Sequence, residues 1–172
     1  RDHMGVKPLY YAETDDALLF ASEIKSIVNS GYLTPRCSDG SVFEYFMFRH
    51  VSGESTLFEG VKSLLPASSL VYKDNAARTK KYWSPYPDHI IRDVKYKNAT
   101  MELSGLIEDA VRMQLISDVP LGTFCSGGLD SSLVTAHAAR LTGRPINAFS
   151  VGFHEDGYDE TRYAQTVAQK YG

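Results

Sequence analysis

Ser126-Gly127-Gly128-Leu129-Asp130-Ser131-Ser132 decides the reading of this chain. Before it lies a short apolar run, Val119 to Cys125, interrupted by Pro120, which reads as a buried strand. After it come Leu133, Val134, Ala136, His137, Ala138 and Leu141, which read as one helix with Gly143 just beyond its end. A glycine pair between strand and helix lets the backbone turn sharply, because no Cβ stands in the way. Such a turn aims several N–H groups and the positive end of the helix dipole at one point, a natural seat for phosphate. The hydroxyls of Ser126, Ser131 and Ser132 add donors, and the Asp130 carboxylate suits a magnesium ion held against phosphate oxygens.

Neighbouring motifs are excluded by single residues. No lysine follows a glycine, so the Walker pattern is absent, and no GxGxxG occurs. A GxSxG elbow needs glycine at position 124, where Phe124 stands. The remaining pattern resembles the SGGxDS pyrophosphate loop of enzymes that cut ATP between its α and β phosphates. The plainer alternative is a Ser/Gly turn that only caps a helix.

The 172 residues suffice for one or two domains, and 43% hydrophobic with 23% charged residues is the composition of a folded globule. A net charge of −3 argues against general affinity for nucleic acid or an anionic membrane. No apolar run approaches the roughly 20 residues of a membrane helix, and no signal peptide opens the chain. Cys37 and Cys125 are far apart and suggest no disulfide framework, in keeping with a reducing, cytoplasmic setting. Five histidines, His3, His50, His89, His137 and His154, show no metal-ligand spacing.

Two textures divide the chain. From Arg1 to about Trp83 it is rich in aromatics and turns. Leu9–Ala12 and Leu18–Ala21 read as a hairpin, Glu23–Asn29 as a short helix closed by Gly31, and Leu70–Tyr72 with Arg78–Trp83 as a second hairpin around Asp74-Asn75. Ser41 and Glu44 form a capping box for a helix through Phe43, Tyr45, Phe46 and Met47. The aromatic cluster including Phe48 reads as core or interdomain packing. Arg78, Lys80 and Lys81 beside Tyr82, Trp83 and Tyr86 read as a strand with a solvated face, not a nucleic-acid patch. Ser84-Pro85-Tyr86-Pro87-Asp88 is a linker. Beyond it, Leu103, Leu106, Ile107, Ala110 and Val111 share a helical face with Thr100 as N-cap. Ile146–Phe153 reads as a second strand. A last helix starts at Asp159 and Glu160, with Tyr163, Ala164, Val167, Ala168 and Tyr171 on its buried face. Strands alternating with helices imply a parallel sheet whose ligands sit at the carboxyl ends of the strands.

At this point a family resemblance enters. Asp118-Val119-Pro120-Leu121-Gly122, the seven-residue loop, Phe149–Phe153 and Gly157-Tyr158-Asp159-Glu160 closely resemble the start of the synthetase domain of glutamine-hydrolysing asparagine synthetases of the B type. Independently, Arg1–Tyr11, Phe20–Lys25 and Thr56–Val61 resemble the late part of that family's glutaminase domain. Two departures stand out: Pro66-Ala67-Ser68 replaces a Pro-Gly turn, and Cys125 replaces an aliphatic residue. The resemblance implies an α/β chain in two parts. Residues 1–88 would be the α+β antiparallel remnant of a class II (N-terminal nucleophile) glutamine amidotransferase domain. Residues 89–172 would be the first part of a parallel α/β PP-loop ATP pyrophosphatase domain.

The implied activity is a carbon–nitrogen ligase. ATP and aspartate form a β-aspartyl-adenylate, pyrophosphate leaves, and ammonia from glutamine displaces AMP. The implied ligands are ATP and Mg²⁺, with Ser126, Gly127, Gly128, Ser131 and Ser132 on the β and γ phosphates, Asp130 on magnesium, and Cys125 and Val151 against the adenosine. Related synthetases with another acceptor, building β-lactams, lasso peptides or amidated polysaccharide sugars, share this loop; a non-catalytic nucleotide-binding module is a further alternative. A homodimer is compatible with the family. The family's glutaminase uses an N-terminal cysteine, whereas this chain starts at Arg1. Only two parallel strands fit after Val119, and no later SGEG-type motif appears. The chain is therefore expected to be an internal piece of a longer protein, carrying the phosphate grip and neither complete active site.

Overall fold

The computed structural model describes residues 1–87, 93–154 and 159–172. The expected linker's Asp88, together with His89 and Asp156 and the Gly157-Tyr158 pair, lies outside the described residues. The backbone divides into two compact units, Arg1–Ile90 and Ile91–Gly172.

In the first unit, β1 (Tyr10–Glu13) and β2 (Leu18–Ala21) form the expected hairpin, with Tyr11 opposite Phe20. A third strand that the sequence reading missed, β3 (Val61–Ser63), pairs antiparallel with the other edge of β1. Thr56 explains how the chain enters it. Its buried hydroxyl donates to the Val61 carbonyl at 2.7 Å and accepts from the Phe58 N–H at 3.1 Å, holding the turn. Ala12, Ile27 and Val61, each 2% exposed, make the core where α1 (Ile24–Val28) covers the sheet. β4 (Ser68–Lys73) and β5 (Ala76–Lys81) are the second expected hairpin. β5 ends two residues short of Trp83, and Lys80 and Lys81 are solvated.

Two expectations about α2 (Asp39–Phe48) are corrected. Its N-cap is Ser38, whose hydroxyl accepts the Ser41 N–H at 3.4 Å; Ser41 itself lies inside the helix. Glu44 does not close a capping box but reaches past the helix end to accept the Ser52 N–H at 2.9 Å. Phe43, Tyr45, Phe46 and Phe48 are exposed, not core, because this helix presents apolar residues all round and only Ser41 is buried.

The second unit comprises α3 (Tyr96–Gln114), β6 (Gly122–Phe124), α4 (Leu129–Thr142), β7 (Asn147–Phe149) and α5 (Thr161–Tyr171). β6 and β7 are parallel, with Thr123 opposite Ala148. Both strands are shorter than expected, three residues each, and they are not buried: Phe124 is 84% exposed. Among the described residues the sheet has two strands only, and α4 packs against β6. Thr100 is not the N-cap of α3. It sits one turn inside, its hydroxyl donating back to the Tyr96 carbonyl at 2.9 Å, and Lys95 occupies the cap. α4 ends at Gly143 in the left-handed region, φ 62°, as its sequence predicts. On α5 only Ala164 is buried; Tyr163 and Ala168 are exposed, while Val167 and Tyr171 are half-buried, so the expected five-residue buried face is cut to one.

Candidate functional site

Cys125 continues the parallel ladder one residue past β6, its N–H donating to the Phe149 carbonyl at 2.8 Å. Its side chain is 2% exposed, a small buried hydrophobe. The chain then leaves the sheet. Gly127 takes φ 84°, a left-handed conformation that costs a residue with a Cβ, and the helix begins two residues on, at Leu129. Gly128 is the N-cap of α4 without any side-chain capping bond. Its carbonyl accepts the Ser132 N–H at 3.0 Å. Among the described residues no acceptor meets the N–H groups of Leu129, Asp130 or Ser131. These are the orphan donors of a helix start, and they point where the helix dipole favours negative charge.

Hydroxyls tie the loop into one shape. Ser126 Oγ and Ser131 Oγ lie 3.1 Å apart, the Gly128 N–H donates to Ser126 Oγ at 3.3 Å, and Ser131 Oγ donates to the Gly128 carbonyl at 3.3 Å. Those bonds are long and exposed, so an anion with stronger acceptors can replace them. Asp130 is exposed in the first turn of α4 and makes no ion pair among the described residues. Ser132 stands one turn in, half-buried on the side facing α5.

A cleft of about 250 Å³ opens beside the loop, lined by Phe124, Cys125, Ser126, Phe149, Ser150, Val151, Phe153 and Glu160. It brings Cys125, Ser126 and Val151 together at the carboxyl ends of the two strands, as their positions in sequence imply. Val151 lies two residues past β7, not within a strand, and is 70% exposed. Two larger clefts, about 430 and 420 Å³, lie elsewhere in this unit. Neither touches the loop, and the first sits at the amino ends of the strands, so size does not mark the site here.

Sequence reasoning missed Ser150, Glu160 and the whole contribution of α5. α5 starts at Thr161, two residues later than expected, with Glu160 as an N-cap that makes no side-chain bond. Just before it, the Asp159 carboxylate accepts the Thr161 hydroxyl at 2.8 Å and the Thr161 N–H at 3.2 Å. These bonds, the hydroxyl first, hold its carboxyl below the usual carboxylate range. His137 is buried within α4, and Cys37 and Cys125 are free thiols. Among the described residues, no three His, Cys, Asp or Glu side chains converge on a point that would bind a metal. The exposed Asp130 carboxylate could hold a magnesium ion that arrives with a polyphosphate, which would supply most of the other oxygen ligands.

Known proteins share both parts of the chain. Residues 1–83 match the glutamine amidotransferase domain family and residues 102–172 the asparagine synthase family. A glutamine-hydrolysing asparagine synthetase 3 of Bacillus subtilis is 33% identical over 91% of this chain and 26% of its own length. A putative asparagine synthetase 2 of Methanocaldococcus jannaschii is 31% identical over 99% of the chain and 34% of its own. The amidase chyE of Penicillium rubens is also 31% identical, over all of the chain and 28% of its own. The chain thus spans about a quarter to a third of the length of these relatives.

Proposed function

Since the chain belongs to the glutamine-hydrolysing asparagine synthetase family, we propose that its parent protein converts aspartate to asparagine at the expense of ATP, with ammonia drawn from glutamine. Residues 1–88 then belong to the amidotransferase domain and residues 89–172 to the first part of a PP-loop synthetase domain. One observation carries the reading: a helix start with unbonded N–H groups, edged by three serine hydroxyls, beside a cleft at the carboxyl ends of two parallel strands.

The proposed chemistry balances. An aspartate β-carboxylate oxygen attacks the α phosphorus of ATP, the bond to the β-phosphate oxygen breaks, and pyrophosphate carries away that electron pair. Ammonia then attacks the acyl carbon, AMP leaves, and a proton is lost. The first step puts negative charge on the departing pyrophosphate. The N–H groups of Leu129, Asp130 and Ser131 are fixed donors for that charge, and the hydroxyls of Ser126, Ser131 and Ser132 would turn to it. Donors held in place before the reaction lower its barrier most, because nothing has to reorient as the charge develops. Asp130 would hold the magnesium ion, which neutralises phosphate charge when bound. Cys125 and Val151 would line the adenosine cleft, Cys125 mainly through its backbone.

Exchange of labelled pyrophosphate into ATP by the full-length protein tests this directly. Exchange that requires aspartate supports the assignment. Exchange only with another acid moves the chain to relatives with a different acceptor, a second reading that the fungal amidase match keeps in view. Asp130→Ala is expected to lower exchange at least ~100-fold while glutamine hydrolysis stays within about twofold, because its carboxylate is exposed and supports no other side chain. Equal loss of both half-reactions would mean that the variant misfolds and that Asp130 has no specific role.

A further inference from the structure

The two glycines of the loop are not equivalent. A Cβ built on Gly127 would overlap the first turn of α5: it would collide with Tyr163 Cβ and come within 2.5 Å of the Ala164 nitrogen and 2.6 Å of the Tyr163 carbonyl carbon. Two of those three atoms are backbone, which no rotamer change can move aside. A Cβ built on Gly128 meets only Ser126 Oγ, at 3.4 Å, an ordinary contact. Gly128 also has φ −67°, which any residue adopts.

From this we infer that Gly127 is a positioning residue that seats the phosphate loop on α5, whereas the bare Cα of Gly128 faces the incoming phosphates. α5 is in turn held by the bonds of the Asp159 carboxylate to Thr161 and by the close approach of Gly152 to Thr161, where an added Cβ would lie 3.0 Å from the threonine methyl. The loop after β6 and the loop after β7 therefore lean on the same helical turn. The placement of the pyrophosphate grip depends on α5, outside the seven-residue motif. This inference rests on the nucleotide-binding reading for its ligand, but not for its contact.

The test compares Gly127→Ala, Gly127→Asn and Gly128→Ala in the full-length protein, with Gly143→Asn as control. Asparagine tolerates left-handed φ far better than alanine does, yet both carry a Cβ. If conformation alone mattered, Gly127→Asn would retain function. Because the contact matters, both Gly127 variants are expected to speed amide hydrogen exchange in residues 161–164. Both should also raise the KM for ATP at least about tenfold, with a smaller change in kcat. Gly128→Ala should raise the KM for ATP without altering exchange in α5. Gly143→Asn, in open space at a left-handed cap, should change neither. Wild-type-like exchange in Gly127→Asn, or loosening of α5 by Gly128→Ala, overturns the inference. Failure of the wild type to bind ATP would sink the nucleotide reading alone, because hydrogen exchange still reports the contact.

Discussion

Asp2 shows how much one exposed side chain can organise. Its carboxylate accepts the Val6 N–H at 2.9 Å and the Lys7 N–H at 3.0 Å, while the Arg1 guanidinium reaches over the same turn to the carbonyls of Leu64 and Gly5, both at 2.7 Å. The Lys7 and Val6 bonds pull the Asp2 carboxyl from 3.8 down to about 2. A carboxyl lowered on folding stabilises the fold fully above its unfolded value of 3.8, and that contribution is lost as pH falls through about 2. Asp2→Ala should therefore be less stable than wild type at neutral pH, the difference closing as pH drops toward 2. Titration of the Asp2 carboxyl carbon by NMR gives the direct check; a midpoint near 3.8 would mean the turn does not form in solution. None of this was legible in the sequence. Arg1-Asp2 entered only as part of a resemblance: the Asp2 bonds to Val6 and Lys7 are local but follow no helix or strand pattern, and two of Arg1's partners, Ser63 and Leu64, lie more than sixty residues away. The loop from Ser126 to Ser132 was legible because its chemistry is local: glycines, hydroxyls and a helix start are adjacent in sequence. The contact between Gly127 and α5 was not, because a glycine carries no mark of what occupies the space its side chain would fill.

Helix starts expose the limit of pattern reading at the next scale. Ser38, Ser41 and Glu44 are spaced so that two capping patterns overlap, and the box of Ser41 with Glu44 is the wrong one. The helix begins three residues earlier, where Asp39 complements the dipole in the first turn. Ser41 is buried instead, its hydroxyl accepting from Ser38 at 3.1 Å. Ser38→Ala is expected to cost about 0.5–1 kcal/mol, the lower half of the usual range because the capping bond is long at 3.4 Å. Denaturant unfolding of wild type and variant measures it. No loss in Ser38→Ala alongside a clear loss in Glu44→Ala would restore the other box. Thr100 failed as a cap for the same reason: a threonine that looks like a start can equally bond back to the carbonyl four residues earlier. The short strands escaped for a different reason. β3 is three residues long, too short for alternation to register, and its place is fixed by pairing with β1 and by the Thr56 turn. β6 and β7 are both shorter than their apolar runs imply, because an apolar run reads as buried whether or not anything covers it. Val119, Phe124 and Val151 are instead exposed, at 67, 84 and 70%.

At the scale of the whole molecule, the two matched regions make a chemical demand on each other. Residues 1–83 match a domain that takes glutamine and residues 102–172 one that makes asparagine. On the proposed reading the product of the first is the nucleophile of the second. Ammonia attacks an acyl-adenylate only as the free base, and ammonium in water at neutral pH is almost entirely protonated. Hydrolysis of glutamine releases nitrogen at a carbonyl carbon, and a protein that hands it on before it equilibrates with bulk water escapes that penalty. Two supplies of nitrogen should then differ in their pH profiles. With ammonium chloride in place of glutamine, asparagine formation at subsaturating ammonium should climb roughly tenfold for each pH unit below the ammonium pKa, following the base fraction. With glutamine it should vary far less over the same range, limited by the hydrolytic step. Both rates are read as asparagine formed by the full-length protein with ATP and aspartate saturating. Parallel profiles would mean that nitrogen passes through bulk solvent in both cases. The two regions would then share a chain without sharing a substrate. A tenfold slope with ammonium and a flat profile with glutamine would mean that their order along the chain has a kinetic purpose.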